Sequence, residues 1–199
     1  LPAAEVDDAT WERVLAVNLT AVMRLTRAVL PGMIAAGGGT IVNITSEAGL
    51  RGACAGAAYT TSKAALIGFT KNTAFMYAPD GIRVNAVNPG TADTPWVGRL
   101  LTQASDPEAE RAALEARQPH GRLVSADEVA GAVAYLASPR SGSTTGVGLA
   151  VDGGMQELRL RHKTGRYVPV LARGYVTRDT QGQPLRVTGT AMDLTLQHQ

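Results

Sequence analysis

The chain has 199 residues, of which 45% are hydrophobic and 18% are charged, and its formal net charge at pH 7 is +2. This composition is typical of a globular protein and argues against overall disorder. Charges of both signs are mixed along the chain, so we expect no nucleic-acid partner. The single cysteine, Cys54, permits no internal disulfide and no cysteine-rich metal site, and we expect no bound metal.

The N-terminal residues show no targeting pattern. They contain no basic segment followed by an apolar core, and no later apolar run looks long enough for a membrane span. The sequence starts at Leu1 without an initiator methionine, which suggests a processed product or a fragment of something longer. We expect a cytoplasmic protein with no membrane partner.

The first half of the chain alternates predicted helices with predicted strands. Apolar residues recur every three or four positions over 8–36, which predicts a long helix that ends at consecutive glycines. The β-branched run TIVNIT at 40–45 predicts a strand buried on both faces. A second helix is predicted over 57–77 and a second buried strand over 81–90.

The next part of the chain continues this alternation after a long polar stretch. Residues 91–120 predict a long loop with a helical patch near 107–117. Ser125 followed by Glu128 predicts a capping box that opens another helix, and GVGLAVDGG at 146–154 predicts a third strand. Strands separated by helices imply right-handed crossovers and a parallel sheet that is covered on both sides.

After Gly154 the pattern changes from a helical repeat of about 3.6 residues to an alternation of about 2. The runs ELRLRH, YVPVLARGYVTRD and LRVTGTAMDLT alternate apolar and polar residues, and the turn signals KTG and TQGQP separate them. This pattern predicts an antiparallel meander of three strands. We therefore predict two modules, 1–155 and 156–199.

A tyrosine and a lysine four positions apart are the first candidates for chemistry. Tyr59 and Lys63 share one face of a predicted helix. A phenol has a pKa near ~10, and a neighbouring ammonium favours the phenolate, so this tyrosine can exchange a proton with a substrate oxygen at neutral pH. Ser46 ends the preceding strand, at the sheet edge where ligands bind, and its hydroxyl can hold the same oxygen. Taken singly, such residues are common on exposed helices and in turns.

Further motifs occur together with this trio: NLTAVMRLTRAVLPGM, GGGTIVNITS, YTTSKAAL, GIRVNAVNPGTADTP, ADEVAGAVAYLAS and TTGVGLAVDGG. Through them, residues 1–155 resemble the C-terminal part of a short-chain dehydrogenase/reductase. The resemblance implies an α/β fold, an incomplete Rossmann-like three-layer α/β/α arrangement with parallel strands, to which the antiparallel meander is added. It also implies an oxidoreductase that uses NAD or NADP to transfer hydride between a secondary alcohol and a ketone.

The resemblance implies a role for each matching residue. Tyr59 would be the general acid/base, Lys63 would lower its pKa and bind the nicotinamide ribose, and Ser46 would orient the substrate oxygen. Asn18 would hold a water in a proton relay. The residues that would touch the nicotinamide carboxamide are Pro89, Gly90, Thr91 and Thr94.

Two of these residues can also be explained without a catalytic role, and the sequence says less about the partners of the protein. Asn18 lies in an apolar helix and needs a partner for its amide whatever its role, and Thr94 can simply cap a turn. In the resembling family, the helices at 8–36 and 57–77 pair across a two-fold axis, which implies a homo-oligomer. The loop at 91–120 would close over a small-molecule alcohol or ketone. Its apolar residues slightly favour an apolar substrate: Trp96, Val97, Leu100 and Leu101.

The glycine-rich turn that anchors the cofactor pyrophosphate in this family is not found in the sequence. We expect that turn to lie upstream of Leu1, and we expect the chain alone to lack its main cofactor anchor and to be weakly stable.

Residues 156–196 resemble the C-terminal half of a PAS sensor domain, through RHKTGRYVPVLARG, RDTQGQP and GTAMDLT. The half that usually forms the ligand pocket is absent, so no sensed ligand is implied. Alternatively, the three strands only cover an apolar surface of the first module. Two other interpretations of the chain stay open: a non-catalytic signalling or interaction protein with a partial PAS module, and a junction of two truncated genes.

Overall fold

The computed structural model describes residues 1–51, 55–155, 158–161, 167–178 and 184–193, the last three ranges as backbone strands. Contacts between residues divide the chain into two compact units, Leu1–Gly153 and Gly154–Gln199. Cys54 and the turn signals KTG and TQGQ, which the sequence pattern singled out, lie outside the described residues.

The first unit alternates helices and strands. Its helices are α1 (Asp8–Leu15), α2 (Ala21–Ala35), α3 (Ala57–Tyr77), α4 (Pro95–Thr102), α5 (Pro107–Ala116) and α6 (Ala126–Ala137). Its strands are β1 (Gly39–Ile44), β2 (Ile82–Pro89), β3 (Ala92–Asp93), β4 (Val124–Ser125) and β5 (Gly148–Val151). A parallel sheet has the order β1-β2-β5, and β3 pairs with β4 in a separate parallel ladder. The expectation that the strand at 40–45 is buried on both faces was wrong: Asn43 is the one buried residue of β1, and Ile44 is 45% exposed, because β1 is the edge strand of the described sheet.

Helices cover both faces of the parallel sheet, because successive side chains of a strand point to opposite sides. Ile82 and Val84 of β2 point to one face and pack there with Ala74 of α3. Arg83 lies between them, points to the other face and donates a hydrogen bond to the carbonyl of Leu136 in α6. The α/β class and the three-layer arrangement of parallel strands predicted from the sequence are therefore confirmed.

The helix predicted over 8–36 is one helical stretch, Asp8–Ala35, with a π-helical turn at Ala16–Thr20 between α1 and α2. This stretch has 28 residues and contains an 18-residue window with a mean hydropathy of 1.3, so by length and composition it is apolar enough to cross a membrane. The expectation that no apolar run is long enough was therefore wrong. A core helix passes the same test but is mostly buried, whereas 11% of the apolar window is buried here. The stretch packs against α3 and β1, with Thr26 and Leu30 buried.

The long loop predicted over 91–120 contains two helices. The helical patch near 107–117 corresponds to α5, whereas α4 was not predicted, although Pro95 at its first position is a helix-start signal. Val97 of α4 and Leu114 of α5 form a small buried cluster with Leu123. The segment is therefore packed on a core of its own.

The capping box predicted at the start of α6 is present. The Ser125 hydroxyl oxygen accepts a hydrogen bond from the Glu128 N–H at 3.1 Å, and the Glu128 carboxylate accepts one from the Ser125 N–H at 2.8 Å. Arg122 donates two more bonds to this carboxylate, at 2.7 and 2.9 Å. These bonds, above all those from Arg122, lower the pKa of Glu128 to about 2. The carboxylate therefore favours folding above its unfolded pKa and loses this effect as the pH falls toward 2.

In the second unit, the described backbone forms three strands: β6 (Leu158–Arg161), β7 (Tyr167–Arg178) and β8 (Pro184–Asp193). They pair antiparallel in the order β6-β7-β8, with an irregular register at the β7 end between Thr177 and Arg178. The predicted antiparallel meander is confirmed.

Helices α2 and α3 expose apolar side chains. Phe75 of α3 is 81% exposed, and Leu25, Val29 and Met76 are exposed as well. Large exposed apolar patches are typical of interaction sites, whereas apolar residues exposed singly are common on protein surfaces. The homo-oligomer through the helices at 8–36 and 57–77 stays a prediction.

One arginine ties the sheet to the C-terminal end of α6. The guanidinium of Arg83 donates hydrogen bonds of 2.8 to 3.4 Å to main-chain and hydroxyl oxygens of Thr40, Leu136, Ser138, Ser141 and Thr144. The last carbonyls of a helix have no partner within the helix and carry partial negative charge. A cation at this point satisfies them, so Arg83 holds α6 against the sheet.

Replacing Arg83 with methionine leaves these oxygens without their donor. We expect Arg83→Met to lower the free energy of unfolding by about 3 kcal/mol, because hydrogen bonds from a charged group each contribute roughly 1.5–3 kcal/mol. Urea denaturation measures the change. The matched control is Arg24→Met on the exposed side of α2, for which we expect a change within about 0.5 kcal/mol. Equal unfolding midpoints for the two variants would contradict this account of Arg83.

Candidate active site

The first strand delivers a serine to the carboxyl edge of the sheet. β1 ends at Ile44, and the chain turns at Ser46 into a short 3-10 turn, Glu47–Gly49. The Ser46 hydroxyl oxygen accepts a hydrogen bond from the Ala48 N–H at 3.2 Å and so caps this turn. Ser46 therefore lies at the edge where ligands bind in parallel α/β sheets.

This turn packs directly on the backbone of α3. A Cβ at Gly49 would lie 2.8 Å from the Ala64 nitrogen and 2.8 Å from the Lys63 carbonyl carbon. Side-chain carbons do not approach backbone atoms so closely, so the packing requires glycine. The close approach places Ser46 beside the part of α3 that bears Tyr59 and Lys63.

Tyr59 and Lys63 lie together on α3, as their spacing predicts. The Lys63 Nζ atom is 5.6 Å from the centroid of the Tyr59 ring, and it donates a hydrogen bond to the Ile44 carbonyl at 2.9 Å. Burial lowers the pKa of Lys63 below the ordinary lysine value, because a charged ammonium loses hydration. Tyr59 is 38% exposed. The structure therefore places a partly dehydrated cation over the Tyr59 ring.

Ser46 and Tyr59 line one cavity of about 680 Å³. The segment after β2 and the helices α4 and α5 supply other parts of its wall, among them Gly90, Thr91, Thr94, Trp96, Val97, Leu100 and Leu114. A cavity of this size suits a small organic ligand, and apolar walls with a few polar groups are typical of such sites.

Three of the predicted site residues do not line this cavity. Lys63 and Asn18 line a separate groove of about 370 Å³ formed by α2, β1 and α3, and Pro89 lines neither space. Thr94 is at the N-cap of α4, but its side chain makes no capping hydrogen bond. The structure thus brings five of the eight predicted residues into one cavity and places Lys63 next to it, through its contact with Tyr59.

Asn18 belongs to the π-helical turn, a feature that is frequent at functional sites. Its side-chain amide donates to the Ser62 hydroxyl at 3.0 Å, and that hydroxyl donates to the Tyr59 carbonyl at 2.7 Å. These two bonds connect the π turn to the turn of α3 that carries Tyr59. The Asn18 amide thus has the hydrogen-bond partner that a purely structural role requires. The role of Asn18 in a water relay stays a prediction.

A glutamine that the sequence pattern did not indicate holds the segment after β2. The buried Gln118 side chain donates to the carbonyls of Thr91 at 3.1 Å and Arg122 at 2.7 Å. A Cβ at Gly90 would lie 2.5 Å from the Gln118 Oε1 atom and 3.0 Å from the Asp152 Cα atom, so a larger residue at Gly90 would have to displace the Gln118 side chain. Gln118 ends a polar stretch without periodicity, and no local signal marks it as buried.

Three charged residues of the cavity wall were also not predicted: Glu47, Glu110 and Arg117. Glu110 and Leu114 of α5 and Arg117, the residue that caps its C-terminal end, follow one another at helical spacing. For Glu110 and Arg117, this spacing is the one sequence feature that indicated a face shared with Leu114. For Glu47 there was none, because burial of a carboxylate depends on what packs around it.

Comparison with known proteins adds relatives for most of the chain. Residues 1–156 match the family described as Enoyl-(Acyl carrier protein) reductase, and residues 149–191 match the family described as PAS fold. The chain is 45% identical over 153 residues to a cis-4-hydroxycyclohexanecarboxylate dehydrogenase of Sinomonas cyclohexanicum, a match that covers 77% of this chain and 59% of the relative.

Two further comparisons concern activity and fold. A Xanthobacter autotrophicus protein named inactive 2-(S)-hydroxypropyl-CoM dehydrogenase 2 is 43% identical over 147 residues, which is 73% of this chain and 64% of that protein. A crystal structure described as a short-chain dehydrogenase/reductase from Burkholderia xenovorans superposes with a TM-score of 0.75 at 35% identity, covering 78% of this chain and 60% of that one. The chain spans 59% to 64% of the length of these relatives.

An added methyl group at Gly49 tests the close packing of the serine turn on α3. We expect Gly49→Ala to lower the free energy of unfolding by about 1–3 kcal/mol, because the turn must move away from the α3 backbone. Gly68→Ala is the matched control within α3, since no atom of the described residues lies within 4 Å of its Cβ position apart from the backbone of its own helix. Alanine there is expected to stabilise the helix by roughly 0.5–1 kcal/mol. Urea denaturation that shows equal stabilisation by both changes would contradict the packing argument.

Proposed function

The chain belongs to the short-chain dehydrogenase/reductase family, and we propose that it serves NAD(P)-dependent hydride transfer between a secondary alcohol and a ketone. The proposal rests on one observation above the others. Ser46 and Tyr59 line the same cavity, and the Lys63 ammonium lies beside the Tyr59 ring. Membership of the family does not by itself establish turnover, since one relative is named inactive.

In this proposal the proton moves at the Tyr59 hydroxyl. During alcohol oxidation the Tyr59 oxygen accepts the proton of the substrate hydroxyl, and during ketone reduction it returns a proton to the substrate oxygen. The Ser46 hydroxyl donates a hydrogen bond to that oxygen and fixes its position. Tyr59 is negatively charged before it accepts the proton in oxidation and after it donates the proton in reduction. The Lys63 ammonium stabilises this charge. A bound nicotinamide cofactor supplies the hydride acceptor or donor.

The residues present fit the nicotinamide-ribose end of such a cofactor. An ammonium carries three donors, and among the described residues Lys63 uses one of them on the Ile44 carbonyl. Ribose hydroxyls are suitable acceptors for the others. Gly90, Thr91 and Thr94 line the cavity that contains Tyr59 and would hold the carboxamide side. We propose Asn18, through Ser62, as the support of the α3 turn that presents Tyr59.

For the substrate we propose a small alicyclic or otherwise largely apolar secondary alcohol. The relative that is 45% identical is named for a hydroxycyclohexane carboxylate. In this chain Trp96, Val97 and Leu100 bring apolar surface to the cavity wall. Cyclohexanol is therefore a suitable first probe, since its ring matches apolar walls and its hydroxyl matches Ser46 and Tyr59.

Removing the Tyr59 hydroxyl tests the proposal directly. We expect Tyr59→Phe to lower kcat for alcohol oxidation by about 100- to 10,000-fold, because general acid/base catalysis contributes in this range. The measurement is the steady-state rate of reduced nicotinamide formation. Binding of the reduced cofactor, followed by its fluorescence, is expected to persist in the variant.

The matched control is Tyr135→Phe on α6, an exposed tyrosine outside the cavity. It is expected to keep the parent kcat. Unchanged turnover in Tyr59→Phe would remove Tyr59 from the mechanism. If the parent protein neither binds the cofactor nor oxidises an alcohol, the remaining candidate is the binding or signalling role suggested by the PAS match at 149–191.

The lowered pKa of Lys63 predicts how activity depends on pH. As the pH rises through this pKa the ammonium loses its charge, so kcat is expected to fall at a pH below the ordinary lysine value. Lys63→Arg keeps its charge to higher pH, and its alkaline limb is expected to move upward relative to its own maximum. The control is Lys71→Arg, which changes an exposed residue of α3. Superimposable profiles for all three proteins would exclude Lys63 as the titrating group.

A further inference from the structure

The mechanism proposed above leaves one buried carboxylate of the cavity unused. Glu47 directly follows Ser46, is only 3% exposed and lines the 680 Å³ cavity that contains Tyr59. Its Oε2 atom is buried and has no hydrogen-bond partner within the part of the chain that the structure describes. A carboxylate oxygen in this state has lost water without gaining a donor, which is rare in folded proteins.

The main chain around Glu47 is held in place. The turn Glu47–Gly49 is capped by the Ser46 hydroxyl, and the close contact of Gly49 with Lys63 and Ala64 fixes it against α3. Glu47 therefore stays next to the candidate catalytic serine.

Among the residues that the structure describes, one other buried side-chain oxygen has no partner, and its situation is different. Gln118 Oε1 belongs to a side chain whose amide nitrogen already holds two carbonyls, and Gln118 is not part of the cavity wall. Gln118 is buried because it links the segments that carry Thr91 and Arg122. Glu47 makes no such bridge among the described residues, so its free oxygen points to a ligand instead.

We propose that Glu47 determines substrate specificity by accepting a hydrogen bond from a second donor group of the substrate. The Oε2 atom lacks a donor, which a hydroxyl or an ammonium supplies, whereas an ether or a ketone carbonyl has no hydrogen to donate. This inference rests on the proposed oxidoreductase function and narrows its substrate class. The preferred substrates are secondary alcohols or ketones that carry a hydroxyl or ammonium group in addition to the reacting oxygen.

A matched set of ligands tests the inference. The set contains cyclohexanol, the positional isomers of cyclohexanediol and the corresponding aminocyclohexanols, and ligand-observed NMR measures their binding to the whole chain. We expect at least one diol or amino alcohol to bind about 10- to 150-fold more tightly than cyclohexanol, the range for one hydrogen bond to a charged group. Comparison of the diols with the amino alcohols shows whether a hydroxyl or an ammonium is preferred.

Two variants assign the preference to Glu47. Glu47→Leu removes the acceptor, and the affinity ratio between the preferred ligand and cyclohexanol is expected to fall to about one. Glu47→Gln keeps one acceptor oxygen and is expected to give an intermediate ratio. The matched control, Glu108→Leu, removes the same charge from an exposed position of α5 outside the cavity and is expected to keep the parent ratio.

The possible results separate this inference from the proposed function. Equal affinities across the ligand set, or an unchanged ratio in Glu47→Leu, would overturn the role of Glu47, and Tyr59-dependent oxidation of cyclohexanol would still support the oxidoreductase. Conversely, a Glu47-dependent preference without Tyr59-dependent oxidation would contradict the oxidoreductase. A lower urea midpoint for Glu47→Leu than for the parent would assign Glu47 to folding and overturn the inference, because removal of an unpartnered buried carboxylate should not destabilise.

Discussion

The arrangement of the site depends on the contact between one turn and one helix. At Gly49 the turn after β1 approaches the α3 backbone so closely that no Cβ fits. This contact brings together two groups from different elements, the hydroxyl of Ser46 at a strand end and the Tyr59–Lys63 pair on a helix. If the turn were held further away, the serine and the tyrosine would still be present but would not share a cavity. A geometric restriction on the backbone is therefore the basis of the proposed chemistry.

Buried polar bonds keep the strand end in the same position. The Thr45 hydroxyl, one residue before Ser46, donates to the Val87 carbonyl of β2 at 2.9 Å and also contacts the Asn88 side chain. On α3, the Thr70 hydroxyl accepts a hydrogen bond from the Asn43 amide at 2.9 Å. Inside the protein such bonds are strong, and an unmatched partner would be costly, so they favour one arrangement of β1, β2 and α3.

The cavity combines two kinds of wall. Ser46, Glu47 and Tyr59 come from the rigid junction of β1 and α3, where position is set by backbone packing. The apolar side chains come from α4 and α5, two short helices with a small cluster of their own. Groups that react need accurate placement, whereas groups that select a substrate can vary with the segment that carries them. Glu47 differs from the α4 and α5 residues because, in our proposal, it selects the substrate although it belongs to the rigid junction of β1 and α3.

Local patterns were sufficient for much of this molecule. Apolar periodicity predicted the long helices, apolar runs predicted the positions of β1 and β2, the Ser125–Glu128 spacing predicted the capping box, and helical spacing put Tyr59 beside Lys63, since each of these depends on residues close together in the chain. Helix α4, the π turn around Asn18 and the burial of Glu47 and Gln118 were not predicted. Burial and cavity shape arise only when distant segments pack, so tertiary structure alone decided which polar atoms lost water and which side chains share a cavity.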